Sequence, residues 1–157
     1  MWQERRQGGH TETEKLVCQW VYHNDKVKEN FDFRGWVCVS EEFDVVKVTK
    51  TIIEAITSSS CNLTDLNLLQ LDLKEKLSRQ KFFIVLDDVW NENYDDWNKL
   101  LKPFQNGVKG SKILITTRNK NVANVASVVQ TVSLHEVRSL SDEDCYSLRI
   151  MNLAKMK

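Results

Sequence analysis

Hydrophobic residues occur along the chain in two patterns, and the first is a short continuous run that ends abruptly in polar residues. Phe82–Leu86 is followed by Asp87 and Asp88, and Ile113–Ile115 is followed by Thr116–Arg118. A continuous apolar run is typical of a strand that is buried on both faces, as in a parallel sheet covered by helices. This pattern predicts strands at 82–87 and 112–118. Further strands are predicted at 34–40, a short run rich in β-forming residues, and at 131–134.

The second pattern is helical spacing behind a capping residue. Val45, Val48 and Ile52 follow Asp44, and four leucines at 66, 69, 73 and 77 follow Thr64. Apolar residues at these intervals form one face of an amphipathic helix, and Asp and Thr are favoured at the position before its first turn. The helices predicted are 14–22, 45–57, 65–79, 94–102, 120–127 and 141–150, the last from a capping-box pattern between Ser141 and Asp144.

Strands and helices therefore alternate along most of the chain. Such alternation predicts an α/β fold with a parallel sheet and helices on both of its faces. A length of 157 residues suits one domain with a full core.

Composition narrows the functional classes. Hydrophobic residues make up 41% and charged residues 28% of the chain, and 22 basic residues balance 22 acidic ones. This composition predicts a soluble globular domain, with neither nucleic acid nor membrane as its partner. The four cysteines are scattered without a C-x-x-C pair, which favours a reduced intracellular compartment over a zinc site or a disulfide framework.

Candidate chemistry lies where the two most apolar strands end. Ligands of open parallel sheets bind at the carboxyl ends of the strands, so Asp87, Asp88 and Arg118 are expected at one edge. Mg²⁺ prefers oxygen ligands, commonly one or two carboxylates with phosphate oxygens and water. An arginine can bind phosphate oxygens through two parallel hydrogen bonds. The strand ends thus indicate a magnesium–nucleotide site.

Two other interpretations of the acidic pair stay open at this point. Many strands end in Asp because the following turn favours it, which would make the pair structural. A Mg²⁺-dependent phosphoryl-transfer enzyme, such as a phosphatase, would also use paired carboxylates. That enzyme would need a further carboxylate and a lysine at other strand ends, where the sequence offers Ser40, Arg118 and His135.

Four motifs in order resemble one known family. They are FDFRGWVCVSEEFDVVKVTKTIIEAIT, FFIVLDDVW, GSKILITTRNKNVA and LSDEDCYSL. Together they resemble the nucleotide-binding (NB-ARC) domain of plant nucleotide-binding leucine-rich-repeat disease-resistance proteins of the coiled-coil class. The resemblance covers about residues 15–150, and Trp90 is a signature of that class.

The resemblance implies a P-loop NTPase-like fold of the STAND class with three layers, and a role for each strand-end residue. Asp87 would coordinate Mg²⁺ as part of a Walker B strand, and Asp88 would be the catalytic carboxylate that orients water. Arg118 would contact the γ-phosphate, with Thr117 beside it in the cofactor-binding set. The cofactors implied are ADP or ATP with Mg²⁺, in a cytoplasmic switch that hydrolyses ATP slowly.

The family's phosphate-binding loop has no counterpart in the sequence. Such a loop needs G-x-x-x-x-G-K-[ST], in which backbone N–H groups and the lysine hold the phosphates. Aligned by Cys18–Tyr22 on the family's first helix, the lysine position falls on Glu14 and the hydroxyl positions on Lys15 and Leu16. A carboxylate there would repel phosphate, so we expect little or no ATPase activity.

The resemblance also leads us to expect a family domain that is truncated at both ends. In this interpretation residues 1–14 are a flexible, degenerate start, 15–150 are a partial NB-ARC domain, and 151–157 are a tail. The strand before the phosphate-binding loop and the later helical subdomains would be missing. We expect the loss of that strand to leave an unpaired edge on the strand before Arg118, and hence a marginal stability for the isolated chain.

Two functions follow from these observations. The first is a partial ADP/ATP-binding switch module of a plant immune receptor, active in defence. The second is a fragment that binds no nucleotide and acts, if at all, as an adaptor or decoy with intact resistance proteins.

Overall fold

A computed structural model of the chain describes residues 10–39, 42–129, 132–137 and 146–152. The helices are α1 His10–His23, α2 Asp25–Asn30, α3 Val45–Thr57, α4 Leu66–Leu77, α5 Tyr94–Leu101 and α6 Lys120–Val129, with a 3₁₀ helix at Lys102–Asn106. The strands are β1 Phe33–Cys38, β2 Phe82–Asp87, β3 Lys112–Thr117, β4 Val132–Val137 and β5 Tyr146–Asn152.

The strands form one sheet in the order β1-β2-β3-β5-β4. Strands β1, β2 and β3 are parallel, with Cys38 opposite Asp87 and Leu86 opposite Ile115. These strands were predicted from their apolar runs, and the α/β class with parallel neighbours is confirmed. Their carboxyl ends lie side by side at one edge of the sheet, as a functional site there requires.

The two faces of the sheet pack against different helices because successive residues of a strand point to opposite sides. Phe83 and Val85 of β2 pack with residues of α1 and α2, including Cys18. Phe82, Ile84 and Leu86, which alternate with them, pack with α3, α4, α5 and α6. All six residues of β2 are buried. The sheet therefore has a helical layer on each face, as predicted.

The prediction of a helix over 141–150 is wrong for its second half. Tyr146–Asn152 forms strand β5, which pairs antiparallel with β3 from Lys112 to Thr117 and with β4 from Val132 to Val137. The remainder of the predicted helix, including its Ser141–Asp144 capping box, lies outside the described residues.

The expectation of an unpaired edge on β3 is wrong as well. Strand β5 pairs with the edge of β3 that β2 leaves open, and β4 pairs with the other edge of β5. The hydrogen bonds on both sides satisfy the backbone groups of β3 and β5, and this outweighs the local helical pattern.

Capping side chains set the beginnings of several helices. The Asp44 carboxylate accepts hydrogen bonds from the backbone N–H groups of Val46 and Lys47, which confirms the predicted cap of α3. Helix α4 is capped by Asp65, whose side chain accepts from Leu68, rather than by Thr64 as predicted. Asn24 caps the short helix α2, and its side chain accepts a hydrogen bond from the backbone N–H of Lys26.

Helix α1 begins at His10, so part of the start that we expected to be flexible is helical. Glu14, which falls at the lysine position of the family's phosphate-binding loop, lies inside this helix. Residues 1–9 and the tail 153–157 lie outside the described part of the chain. Among the helices that the structure describes, none has the length and apolar character needed to cross a bilayer.

Helix α4 offers a direct test of the packing. Leu73 is completely buried, whereas Leu71, two residues earlier on the same helix, is 62% exposed. Leu73→Ala should lower the free energy of unfolding by about 2–5 kcal/mol because it removes buried methyl groups and leaves a cavity. Leu71→Ala is the matched control and should change it by less than about 0.5 kcal/mol. Urea denaturation of both variants measures the difference, and equal losses would contradict the described packing of α4.

Candidate functional site

The candidate site lies where β2 and β3 end, and it contains the four residues that the sequence assigned to a magnesium–nucleotide site. Asp87 is the last residue of β2 and Thr117 the last residue of β3. Asp88 and Arg118 are the residues that follow each strand, and their side chains are in contact. The parallel sheet thus brings together residues that are about thirty positions apart in the chain.

Asp87 has a buried carboxylate held by one hydroxyl group. Its side chain is 8% exposed, and Oδ1 accepts a hydrogen bond of 2.7 Å from Oγ1 of Thr116. A carboxylate removed from water needs hydrogen-bond donors to remain charged at little cost. Thr116 provides that donor from the neighbouring strand.

Asp88 has an unusual backbone conformation. Its φ is +57°, in the left-handed region that residues with a Cβ adopt at a cost. Its backbone N–H donates to the same Thr116 hydroxyl oxygen at 2.7 Å. The Thr116 hydroxyl therefore contacts both acidic residues, donating to one and accepting from the other.

Arg118 lies between a carboxylate and an aromatic ring. Nη2 of Arg118 is 3.3 Å from Oδ1 of Asp88, and its guanidinium carbon lies 4.9 Å from the centre of the Trp90 ring. Both side chains of the ion pair are partly exposed, so the pair contributes little to stability by itself. Arg118 is thus accessible to solvent at this edge of the sheet.

Thr117 is placed differently from Arg118, although both were expected in the cofactor-binding set. It is 1% exposed, and its hydroxyl donates to the backbone oxygen of Val89 at 2.7 Å. The hydroxyl oxygen of Thr117 also accepts a hydrogen bond from the backbone N–H of Asn119 at 3.0 Å. In this arrangement Thr117 connects the turns that follow the two strands.

A second connection joins the loops beyond the strands. The Glu92 carboxylate in the β2–α5 loop accepts a short hydrogen bond from the Asn119 side chain and another of 3.1 Å from the Asn121 side chain. The side chain of Asn119 also accepts from the backbone N–H of Asn121 at the start of α6. These contacts hold the segment on either side of Arg118 in place.

The carboxylates present fit Mg²⁺ only as part of a coordination shell. Within the described residues, no group of three or more His, Cys, Asp or Glu side chains could hold a metal ion. Mg²⁺ in nucleotide sites commonly takes one or two carboxylates and completes its octahedron with phosphate oxygens and water. Asp87 and Asp88 match that incomplete set, so the residues suit a cation that arrives with a phosphate ligand.

A cavity of about 330 Å³ lies nearby, between the end of β1 and the first turns of α3. Its lining includes Cys38, Glu42 and Lys47, but none of the residues at the ends of β2 and β3. We assign the candidate site to the strand ends because the ion pair between Asp88 and Arg118 and the buried carboxylate of Asp87 lie there.

Two contributors to the site were not assigned a role from the sequence. Thr116 was visible only as one of two hydroxyl residues after an apolar strand, and Trp90 only as a family signature. The position of Thr116 opposite Asp87 depends on the pairing of β2 with β3, and that of Trp90 on the conformation of the turn after Asp88. Neither position can be predicted from the local sequence.

The fold and the strand-end residues define an α/β domain of the P-loop NTPase-like class, and comparison with known proteins agrees. The family model described as NB-ARC domain matches residues 12–157. The chain belongs to the NB-ARC family, as the sequence motifs predicted.

The relatives found by sequence comparison carry disease-resistance names. The chain is 46% identical over 134 residues to the putative disease resistance RPP13-like protein 1 of Arabidopsis thaliana. The aligned region covers 84% of this chain and 12% of the relative. It is 37% identical over 132 residues to the putative disease resistance protein RGA1 of Solanum bulbocastanum, covering 84% and 13% respectively. Disease resistance protein RGA2 of the same species is also 37% identical, over 133 residues, with the same coverage. The chain therefore spans about an eighth of the length of these relatives.

The hydroxyl of Thr117 should have a measurable structural effect. Thr117→Val leaves the buried backbone oxygen of Val89 without this donor, which should lower the free energy of unfolding by about 1–3 kcal/mol. Thr117→Ser keeps the hydroxyl and should recover most of the loss. Urea denaturation measures both, and a Val variant as stable as the parent would show that the turns are held by other contacts.

Proposed function

We propose that this chain is a nucleotide-binding module that takes ADP or ATP with Mg²⁺ at the carboxyl ends of β2 and β3, in a plant protein that acts in defence. The observation that carries the proposal is the placement of Asp87, Asp88 and Arg118 at one edge of a parallel sheet, with Arg118 in contact with Asp88. Membership of the NB-ARC family and the disease-resistance names of the relatives support it.

Each strand-end residue has a distinct task in this proposal. Asp87 would be the Mg²⁺ ligand of a Walker B strand, and Asp88 the carboxylate that orients a water molecule. Arg118 would leave Asp88 to contact the terminal phosphate, which is possible because both side chains are partly exposed. When bound, Mg²⁺ would neutralise phosphate charge and orient the nucleotide.

The absence of G-x-x-x-x-G-K-[ST] from the sequence favours a second candidate function. Without the loop, a chain that keeps the sheet and the strand-end residues would bind no nucleotide and would act through contacts with other proteins. Intact resistance proteins of the same family are the partners that we propose for it. Copurification of the chain with a full-length relative, lost when the chain is unfolded by a core substitution, would support this function.

Calorimetric titration of Mg²⁺–ADP and Mg²⁺–ATP into the purified chain distinguishes the two functions. The first predicts saturable binding with a micromolar or tighter dissociation constant, weakened at least tenfold by Asp87→Asn or Arg118→Gln, because each removes a charge that the ligand needs. Binding that does not saturate at millimolar nucleotide would support the second function.

Asp72→Asn is the matched control for the carboxylate variant. Asp72 forms an ion pair of 2.7 Å with Lys76 on helix α4, away from the ends of β2 and β3. The substitution makes the same chemical change without touching the candidate site, so it should leave nucleotide affinity within twofold of the parent. An equal loss in both variants would indicate a general effect of charge or stability.

The alignment that places Glu14 at the lysine position can be tested by restoring the missing groups. Glu14→Lys combined with Leu16→Thr would replace a repelling charge with an attracting one and add a hydroxyl for Mg²⁺. If the alignment is right, the affinity for Mg²⁺–ADP should rise at least tenfold in calorimetry. Lys15→Thr alone, which leaves Glu14 in place, is the control and should not raise it.

We also propose a cytoplasmic location for the chain, in keeping with its four scattered cysteines. Imaging of a fluorescent fusion in plant cells tests this, and accumulation in the secretory pathway would contradict it.

A further inference from the structure

We infer that Thr116 is a positioning residue for the candidate cation site, acting through Asp87 and Asp88. The inference rests on the proposed function, because it requires Asp87 to take the cation. It concerns Thr116, however, which received no role from the sequence. The hydroxyl of Thr116 contacts both Asp87 and Asp88.

The geometry leaves the hydroxyl no freedom. A threonine hydroxyl has a single hydrogen, and this one is donated to Oδ1 of Asp87 at 2.7 Å. Its oxygen accepts the backbone N–H of Asp88, also at 2.7 Å. Thr116 is 3% exposed and Asp87 is 8% exposed, so water has little access to replace either bond. The hydroxyl therefore fixes two neighbouring residues with one group.

The first consequence concerns the orientation of Asp87. With Oδ1 engaged by Thr116, no hydrogen bond to Oδ2 is present among the residues that the structure describes, which leaves that oxygen for a cation. Hydrogen bonds to a ligating carboxylate orient it and tune its affinity, and the loss of such a partner typically weakens metal binding 10- to 100-fold. Thr116 has the contact expected of such a partner.

The second consequence concerns the direction of Asp88. Its left-handed backbone, at φ +57°, is unfavourable for a residue with a Cβ and needs compensating contacts. The bond from its N–H to Thr116 is one such contact, and the ion pair with Arg118 is the other. Removal of the hydroxyl should therefore loosen Asp88 as well as Asp87.

The test measures binding of Mn²⁺, which shares the oxygen-ligand preference of Mg²⁺, by the loss of its free-ion electron paramagnetic resonance signal. The full 157-residue chain is used first without nucleotide and then with ADP, which supplies the phosphate oxygens that complete the coordination shell, and Mn²⁺–ADP without protein is the reference. Thr116→Val, which keeps the shape but removes the hydroxyl, should weaken Mn²⁺ binding about tenfold, and Thr116→Ser should restore it to within about twofold. Asp87→Asn should abolish the same binding.

Thr49→Val is the matched control. Thr49 is completely buried in α3, and its hydroxyl donates to the backbone oxygen of Val45 at 2.6 Å. The variant loses a buried hydroxyl of the same kind without touching Asp87. The Thr49→Val variant should bind Mn²⁺ with the affinity of the parent chain, even if its thermal unfolding temperature falls as far as that of Thr116→Val. A loss of affinity in Thr116→Val alone would therefore reflect the positioning of Asp87 rather than a general loss of stability.

Each outcome decides between the inference and the function on which it rests. Parent-like Mn²⁺ affinity in Thr116→Val would overturn the inference and leave the proposed function standing. Weaker Mn²⁺ binding in Thr116→Val, restored in Thr116→Ser, would support the inference. Failure of nucleotide to bind in calorimetry would overturn the proposed function but not this inference. Absence of Mn²⁺ binding to the parent chain at millimolar concentration, both with and without ADP, would overturn both.

Discussion

The burial of β2 on both faces is the constraint on which the rest of the described structure depends. Five large apolar side chains in a row, Phe82 to Leu86, point alternately to opposite sides of the sheet. No single layer of helices can cover such a strand, so helices must pack on each face and other strands must pair along each edge. Polar groups are then confined to the point where the strand stops. The location of the candidate site is a consequence of that confinement.

The carboxyl end of β2 has an unfavourable free energy, which contacts with residues at the end of β3 offset. Asp87 is almost as buried as the apolar residues before it, and Asp88 adopts a left-handed backbone worth about 1–2 kcal/mol of strain. Both are stabilised from β3, by the Thr116 hydroxyl and by Arg118. A backbone in the left-handed region that persists because surrounding contacts support it is common at functional sites, and here it lies beside a buried carboxylate. This is a physical reason to prefer a functional interpretation of the pair to a purely structural one.

The elements best predicted from the sequence are those whose periodicity and burial agree. The runs at 82–87 and 112–118 were predicted to be buried strands because they are continuous and apolar, and the leucines of α4 were predicted to form one face of a helix because of their spacing. Asp44 was identified because a cap acts within a few residues of itself.

The errors arise where distant pairing decides the outcome. Tyr146–Asn152 is in a strand because β3 and β4 each present an edge to it, which local sequence does not encode. Of the candidate site, Asp87, Asp88 and Arg118 were found because carboxyl ends of parallel strands meet. Thr116 was not assigned, since its role follows from a hydrogen bond across twenty-nine positions.

The charges at the strand ends explain why affinity, rather than the presence of the carboxylates, separates the two candidate functions. Asp87, Asp88 and Arg118 together carry one net negative charge, and a divalent cation would make the edge positive and favourable for phosphate. Arg118 is free to rearrange, because an exposed ion pair contributes only about 0–1 kcal/mol. Micromolar binding, however, requires about 8 kcal/mol, more than these three side chains can supply after the costs of association. The balance has to come from backbone groups that surround the phosphates, so the same strand ends can belong to a tight site or to a weak one.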